Sequence, residues 1–108
     1  MLDKPATQDD IARARTDYQD YIKITIDLER ARVVIGGEYH YDAEQLLLDE
    51  GSKQDEIWGG GMDLITGSLE TNAMINMRPL TNPSTEILDQ EIAIQFKLLS
   101  KKYIPHYE

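Results

Sequence analysis

Four residues at alternate positions, Glu38, His40, Asp42 and Glu44, carry side chains able to bind a divalent cation. In an extended backbone they would share one face and line one edge. An imidazole among carboxylates suits Mn, Fe or Zn, and a metal held this way polarises a water or a phosphate. The same groups also have a structural use. Glu38 can pair with Arg30 or Arg32, His40 can satisfy a backbone group and Asp42 can cap a helix, the commoner fate of such residues.

A second set joins Lys53 and Gln54 with Asn76 and Arg78. An ammonium, a guanidinium and two amides can cradle a carboxylate or phosphate, using the bidentate geometry of Arg. A solvated face salt-bridged to the acidic middle of the chain is the commoner outcome for these residue types. Trp58, followed by Gly59, Gly60 and Gly61, suits the aromatic wall of a ligand pocket; a Trp after a short capped helix more often plugs a core. The glycines match no phosphate-loop or dinucleotide fingerprint. The acids around Asp49, Glu50, Asp55 and Glu56 lack the residue order of an EF-hand, and no nucleophile elbow surrounds any Ser.

Composition narrows the classes further. The 108 residues hold 20 acids, 11 Lys plus Arg and no Cys, for a net charge of −9. Acidity argues against nucleic acid and anionic membranes as partners. The absence of Cys excludes disulfides, thiolate metal sites and a cysteine nucleophile. No apolar run approaches a membrane span, and no secretory h-region opens the chain, so the expectation is a cytoplasmic protein. The length suits one domain over residues 1–108, with 1–6 and 104–108 as tails. The charge is local. Residues 38–63 hold eight acids against Lys53 alone, hence −7 of the −9, whereas residues 92–107 hold three lysines and no acid.

These residues must be positioned by elements that periodicity outlines. Thr7 and Asp10 form a capping pattern, and Ile11, Ala14, Tyr18 and Ile22 recur at helical spacing, predicting a helix from about Gln8 to Gln19. Tyr21 to Glu29 alternates strictly, with Ile22, Ile24, Ile26 and Leu28 inward and Lys23, Thr25, Asp27 and Glu29 outward. Val33 to Ile35 returns as a hairpin partner, ending at Gly36 and Gly37, where a positive φ is expected. A short helix from about Ala43 to Glu50, capped by Asp42 and ended by Gly51, precedes another turn at Ser52 to Asp55. Gly59 to Gly61 read as a break. Met62 to Ile65 and Ser68 to Met77, joined at Thr66-Gly67, form a second hairpin ended by Pro79. Asp89 caps a last helix carrying Ile92, Phe96, Leu99 and Tyr103 on one stripe, closed at Pro105. The sum is an α+β fold: an antiparallel sheet of about four strands in two hairpins, covered on one face by the N- and C-terminal helices, with short helices in the middle.

Three stretches are more specific than propensity demands: Gly36 to Glu44 (GGEYHYDAE), Leu46 to Gly59 (LLLDEGSKQDEIWG) and Met74 to Pro79 (MINMRP). In this order they resemble the signatures of a family of small prokaryotic proteins known only as a domain of unknown function, and Tyr21 to Arg30 resembles its first strand. The resemblance covers roughly residues 21–95. It implies a single small domain without an established activity or agreed catalytic residues. The chain departs from the family pattern at Gly59 to Leu64, at Asn72 where Asp is usual, and in a shortened loop from Pro79 to Ile87 without the usual Arg. A family site built on those groups would be altered here.

The expectation is therefore a non-enzymatic module that binds a protein partner or a second copy as a homodimer. The alternative is a small metal- or anion-dependent enzyme or ligand-binding protein using His40, Asp42 and Glu44 with Arg78. No cofactor is identified beyond the option of a divalent cation.

Overall fold

A computed structural model describes Leu2, residues 4–15, Tyr18 and residues 20–104. Along the chain run α1 (Gln8–Ala14), β1 (Tyr21–Asp27), β2 (Arg32–Ile35), α2 (His40–Asp49), a 3-10 turn (Gln54–Glu56), β3 (Ile57–Asp63), β4 (Leu69–Glu70), a second 3-10 turn (Met74–Asn76) and α3 (Gln90–Tyr103). The strands form one antiparallel sheet in the order β2-β1-β3-β4. This is the expected α+β fold. No helix among the described residues is long and apolar enough to cross a membrane.

Helix starts follow the side chains that cap them. Thr7 accepts from the Asp10 backbone while Asp10 reaches back to the Thr7 N–H, a full capping box on α1. Asp89 accepts from the backbone of Glu91 and Ile92 at the start of α3. Of the expected C-terminal part of the first helix, Thr16, Asp17 and Gln19 lie outside the described residues, as do Pro105 and His106. α2 begins earlier than expected, at His40, and Asp42 lies in its first turn instead of capping it. Its end is legible: Ser52 N–H donates to Leu47 and Gly51 N–H to Leu48, with Gly51 at φ 94°, the Schellman arrangement that glycine permits.

The sheet is covered on both faces, which corrects the one-sided expectation. On one face Ile22, Ile24, Ile26, Val33, Trp58 and Met62 pack with Ile11, Ala14 and Phe96 of the terminal helices. On the other, Val34 and Ile57 pack with Ala43 and Leu47 of α2. Thr25 and Asp27, expected to face water, are therefore buried. Two further expectations give way. The three glycines do not break the chain; they sit inside β3, where Gly59, Gly60 and Gly61 pair with Thr25, Ile24 and Lys23 of β1. The long strand expected at Ser68 to Met77 shrinks to Leu69–Glu70, and the chain then coils along the β3 edge. Within the expected N-terminal tail, Leu2 bridges Val33, and Ala6 is buried, its N–H bonded to the Tyr103 carbonyl. At the other end, Ile104 is buried in the same core.

Candidate functional site

The glycines of β3 form a floor. In the sheet β3 lies between β1 and β4, so Tyr21 must cross it to reach Glu70. It does so over Gly61, where a Cβ would stand 1.9 Å from the Tyr21 Oη. The phenol then donates to Glu70 Oε1 at 2.5 Å. Two residues earlier on the same face, Gly59 leaves room for the imidazole of His40; a Cβ there would lie 2.9 Å from His40 Cδ2. His40 Nε2 bonds the Gly60 carbonyl at 2.7 Å. Gly60 faces the other way, where its missing Cβ admits the Phe96 ring. Alternation along a strand explains the division of labour.

Above this floor is a cleft of about 410 Å³ between β1, α2 and the segment after β4, lined by Tyr21, Lys23, Tyr39, His40, Tyr41, Glu70, Asn72, Ala73, Met74 and Ile75. The volume falls in the range of small-molecule sites. Lys23 Nζ stands 5.3 Å from the Tyr18 ring centre and 6.0 Å from that of Tyr39, a cation held by two aromatic faces. Tyr18 is itself placed by an edge-to-face contact with Tyr21 and by donating to the Glu38 carbonyl. Among the described residues Lys23 forms no ion pair.

Burial governs the titrations here. It pushes the Tyr21 phenol well above its usual value, reinforced by the bond to Glu70, so Tyr21 stays a donor. Burial also lowers the His40 pKa, against the opposing pull of the Gly60 carbonyl. At neutral pH the imidazole is uncharged, donates from Nε2 to Gly60 and keeps its lone pair on Nδ1.

The four groups expected to line one extended edge do not, because residues 40–44 are helical. His40 and Glu44 lie one turn apart and are buried, whereas Asp42 and Glu38 are exposed. Among the described residues no group of three or more His, Cys, Asp or Glu is arranged to hold a metal ion. Burial raises the Glu44 pKa, while Arg78 and a hydrogen bond with Gln54 act against it.

The second expected set is partly gathered, at the other end of β3. The Arg78 guanidinium lies 3.8 Å from the centre of the buried Trp58 ring. Its Nη2 donates to the carbonyls of Gln54 (2.9 Å) and Ile57 (2.7 Å), and Nη1 to that of Asn76. The Asn76 amide accepts from Gly59 N–H and donates to the carbonyls of Gly59, Thr71 and Thr85. It thus fills the place a strand residue would take beside β3, which is why β4 stops short. Asn82 repeats the device, donating to the carbonyls of Asn76, Ser84 and Glu86 and accepting from Leu88 N–H. Asn76 is thereby engaged with backbone, as are both terminal nitrogens of Arg78; Lys53 is exposed ahead of the first 3-10 turn and outside the cleft.

Periodicity and motif place Tyr21, Lys23, Tyr39, Tyr41 and Glu70 in strands or signature stretches without marking them as a site. The signal available was compositional: six tyrosines against one Phe and one Trp, four of them at 18, 21, 39 and 41. Tyrosine joins an apolar face to a polar tip, and its clustering marks half-wet surfaces better than cores.

No curated protein and no solved structure matches the chain. A family model described as protein of unknown function (DUF5674) matches residues 1–102, reaching beyond the signature stretches to take in α1 and nearly all of α3. By that match the chain belongs to the DUF5674 family.

Proposed function

We propose that this is a binding domain whose site is the tyrosine-walled cleft, and that it takes a small molecule carrying a carboxylate or phosphate on an apolar or aromatic body. The observation that carries the reading is Lys23. Its ammonium lies beside two tyrosine rings at the cleft and forms no ion pair among the described residues. Glu70, the acid in the cleft lining, has one carboxylate oxygen engaged by the Tyr21 phenol. An anionic group on a ligand supplies what Lys23 lacks, and Tyr39, Tyr41 and Met74, all exposed, offer apolar surface for the rest. Binding is favoured over catalysis because Tyr21 and His40 are each engaged in an internal hydrogen bond.

Isothermal titration with benzoate and with inorganic phosphate tests this. Benzoate is expected to bind in the millimolar range or tighter, and Lys23→Met to weaken it at least about tenfold, a loss of about 1.4 kcal/mol. Equal binding by wild type and Lys23→Met would sink the reading.

A further inference from the structure

The lining of the tyrosine-walled cleft holds a charge of each sign, Lys23 and Glu70, and the sheet register sets them opposite each other. Lys23 on β1 and Glu70 on β4 both pair with Gly61 of β3, so the three residues form one row across the sheet. Directly paired residues share a face, and strands about 4.8 Å apart put the two outer Cα atoms about 10 Å from each other. Gly61 adds no side chain to the row, and the Tyr21 phenol crosses there. Among the described residues neither Lys23 nor Glu70 forms an ion pair, so the two do not neutralise each other. Tyr21 takes one carboxylate oxygen of the exposed Glu70, and among the described residues the second oxygen has no donor. Besides burial and the Gly60 carbonyl, both charges act on the His40 imidazole, Lys23 lowering its pKa and Glu70 raising it, as expected of groups around one cleft.

We infer that the cleft takes a free α-amino acid with an apolar or aromatic side chain, its carboxylate accepting from Lys23 and its ammonium donating to Glu70. The inference rests on the anion site proposed at Lys23 and adds the second charge. An α-amino acid carries both charges on one carbon, so two charge-assisted bonds of about 2.8 Å, one at each end, let it span the row that the two side chains leave unbridged. A simple carboxylate satisfies Lys23 but brings a second anion toward Glu70, and a simple amine brings a second cation toward Lys23; each mismatch disfavours the wrong ligand. A residue inside a peptide has neither charge. The exposed Tyr39, Tyr41 and Met74 offer the surface for the ligand side chain.

Isothermal titration of the full chain at neutral pH and low salt compares L-phenylalanine with 3-phenylpropanoate, which lacks the ammonium, and with 2-phenylethylamine, which lacks the carboxylate. Phenylalanine should bind at least about tenfold tighter than either. Glu70→Gln keeps an acceptor for Tyr21 and removes only the charge. It should bring phenylalanine down to the level of 3-phenylpropanoate without weakening 3-phenylpropanoate itself, while Lys23→Met should weaken both acids. If 3-phenylpropanoate or 2-phenylethylamine binds wild type as tightly as phenylalanine, or if Glu70→Gln leaves phenylalanine unaffected, the amino-acid inference is overturned, and an anion site that still depends on Lys23 survives it. If neither acid binds, or Lys23→Met changes nothing, both readings fall.

Discussion

Arg78 and Lys23 each lie over aromatic rings, and they differ in what else they touch. The Arg78 guanidinium stacks on Trp58 and spends its N–H groups on the carbonyls of Gln54, Ile57 and Asn76. The Lys23 ammonium sits beside Tyr18 and Tyr39 with no ion pair among the described residues. Arg78 with Asn76 and Asn82 is a clasp that closes an incomplete sheet edge. Lys23 is a charge presented to a cleft. A cation over an aromatic ring therefore says little about function until its remaining hydrogen-bonding capacity is counted.

The sharpest way to break the clasp is Asn76→Ala. The side chain is fully buried and satisfies both the N–H and the C=O of Gly59, so its loss strands buried backbone groups. Equilibrium denaturation should show a loss of about 4 kcal/mol. Arg78→Met should cost about 2 kcal/mol, with Arg78→Lys recovering only part because a point charge cannot replace the fork. Neither change should alter benzoate affinity in protein that remains folded. On the cleft side, Tyr21→Phe should cost about 1 kcal/mol by removing the bond to Glu70.

His40 gives the comparison a pH signature. Its folded pKa lies below the unfolded value, so its contribution is full above the unfolded pKa, near 6.5, and is lost as pH falls through the folded value. Stability measured between about pH 7 and pH 5 should decline in the wild type and decline less in His40→Gln. Glu44 runs the opposite way. Its raised pKa means that its contribution is full below the unfolded value and is lost as pH rises, so Glu44→Gln should be no less stable than wild type at neutral pH. The smallest effect belongs to Lys23→Met: half-buried and unpaired, it should change stability by less than about 0.5 kcal/mol while removing ligand affinity.

The fold was more legible than the site, for a physical reason. Caps such as Thr7 with Asp10, and Asp89, act over three residues, and the alternation of Ile22, Ile24 and Ile26 is local, so each can be read from a short window. Burial of Thr25 and Asp27 could not be read that way, because it depends on α2 covering the second face from outside the window. The glycines misled for a related reason. Singly they signal a break, but Gly59 and Gly61 are small because His40 and Tyr21 lie across them. His40 takes the commoner of its two readings, an imidazole that satisfies a backbone group, here a carbonyl on β3. Glu70 and Lys23 share the cleft only because β1 and β4 are brought to either side of β3.

The central claim is that the anion site is at Lys23 and not at Arg78. An NMR titration of the backbone amides with benzoate separates the two directly, since the regions share no lining residue except Ile75. The account predicts shifts centred on Lys23, Tyr39, Tyr41 and Met74, absent in Lys23→Met. Shifts centred on Asp55, Met77 and Arg78, or a map unchanged by removing the Lys23 charge, would contradict it.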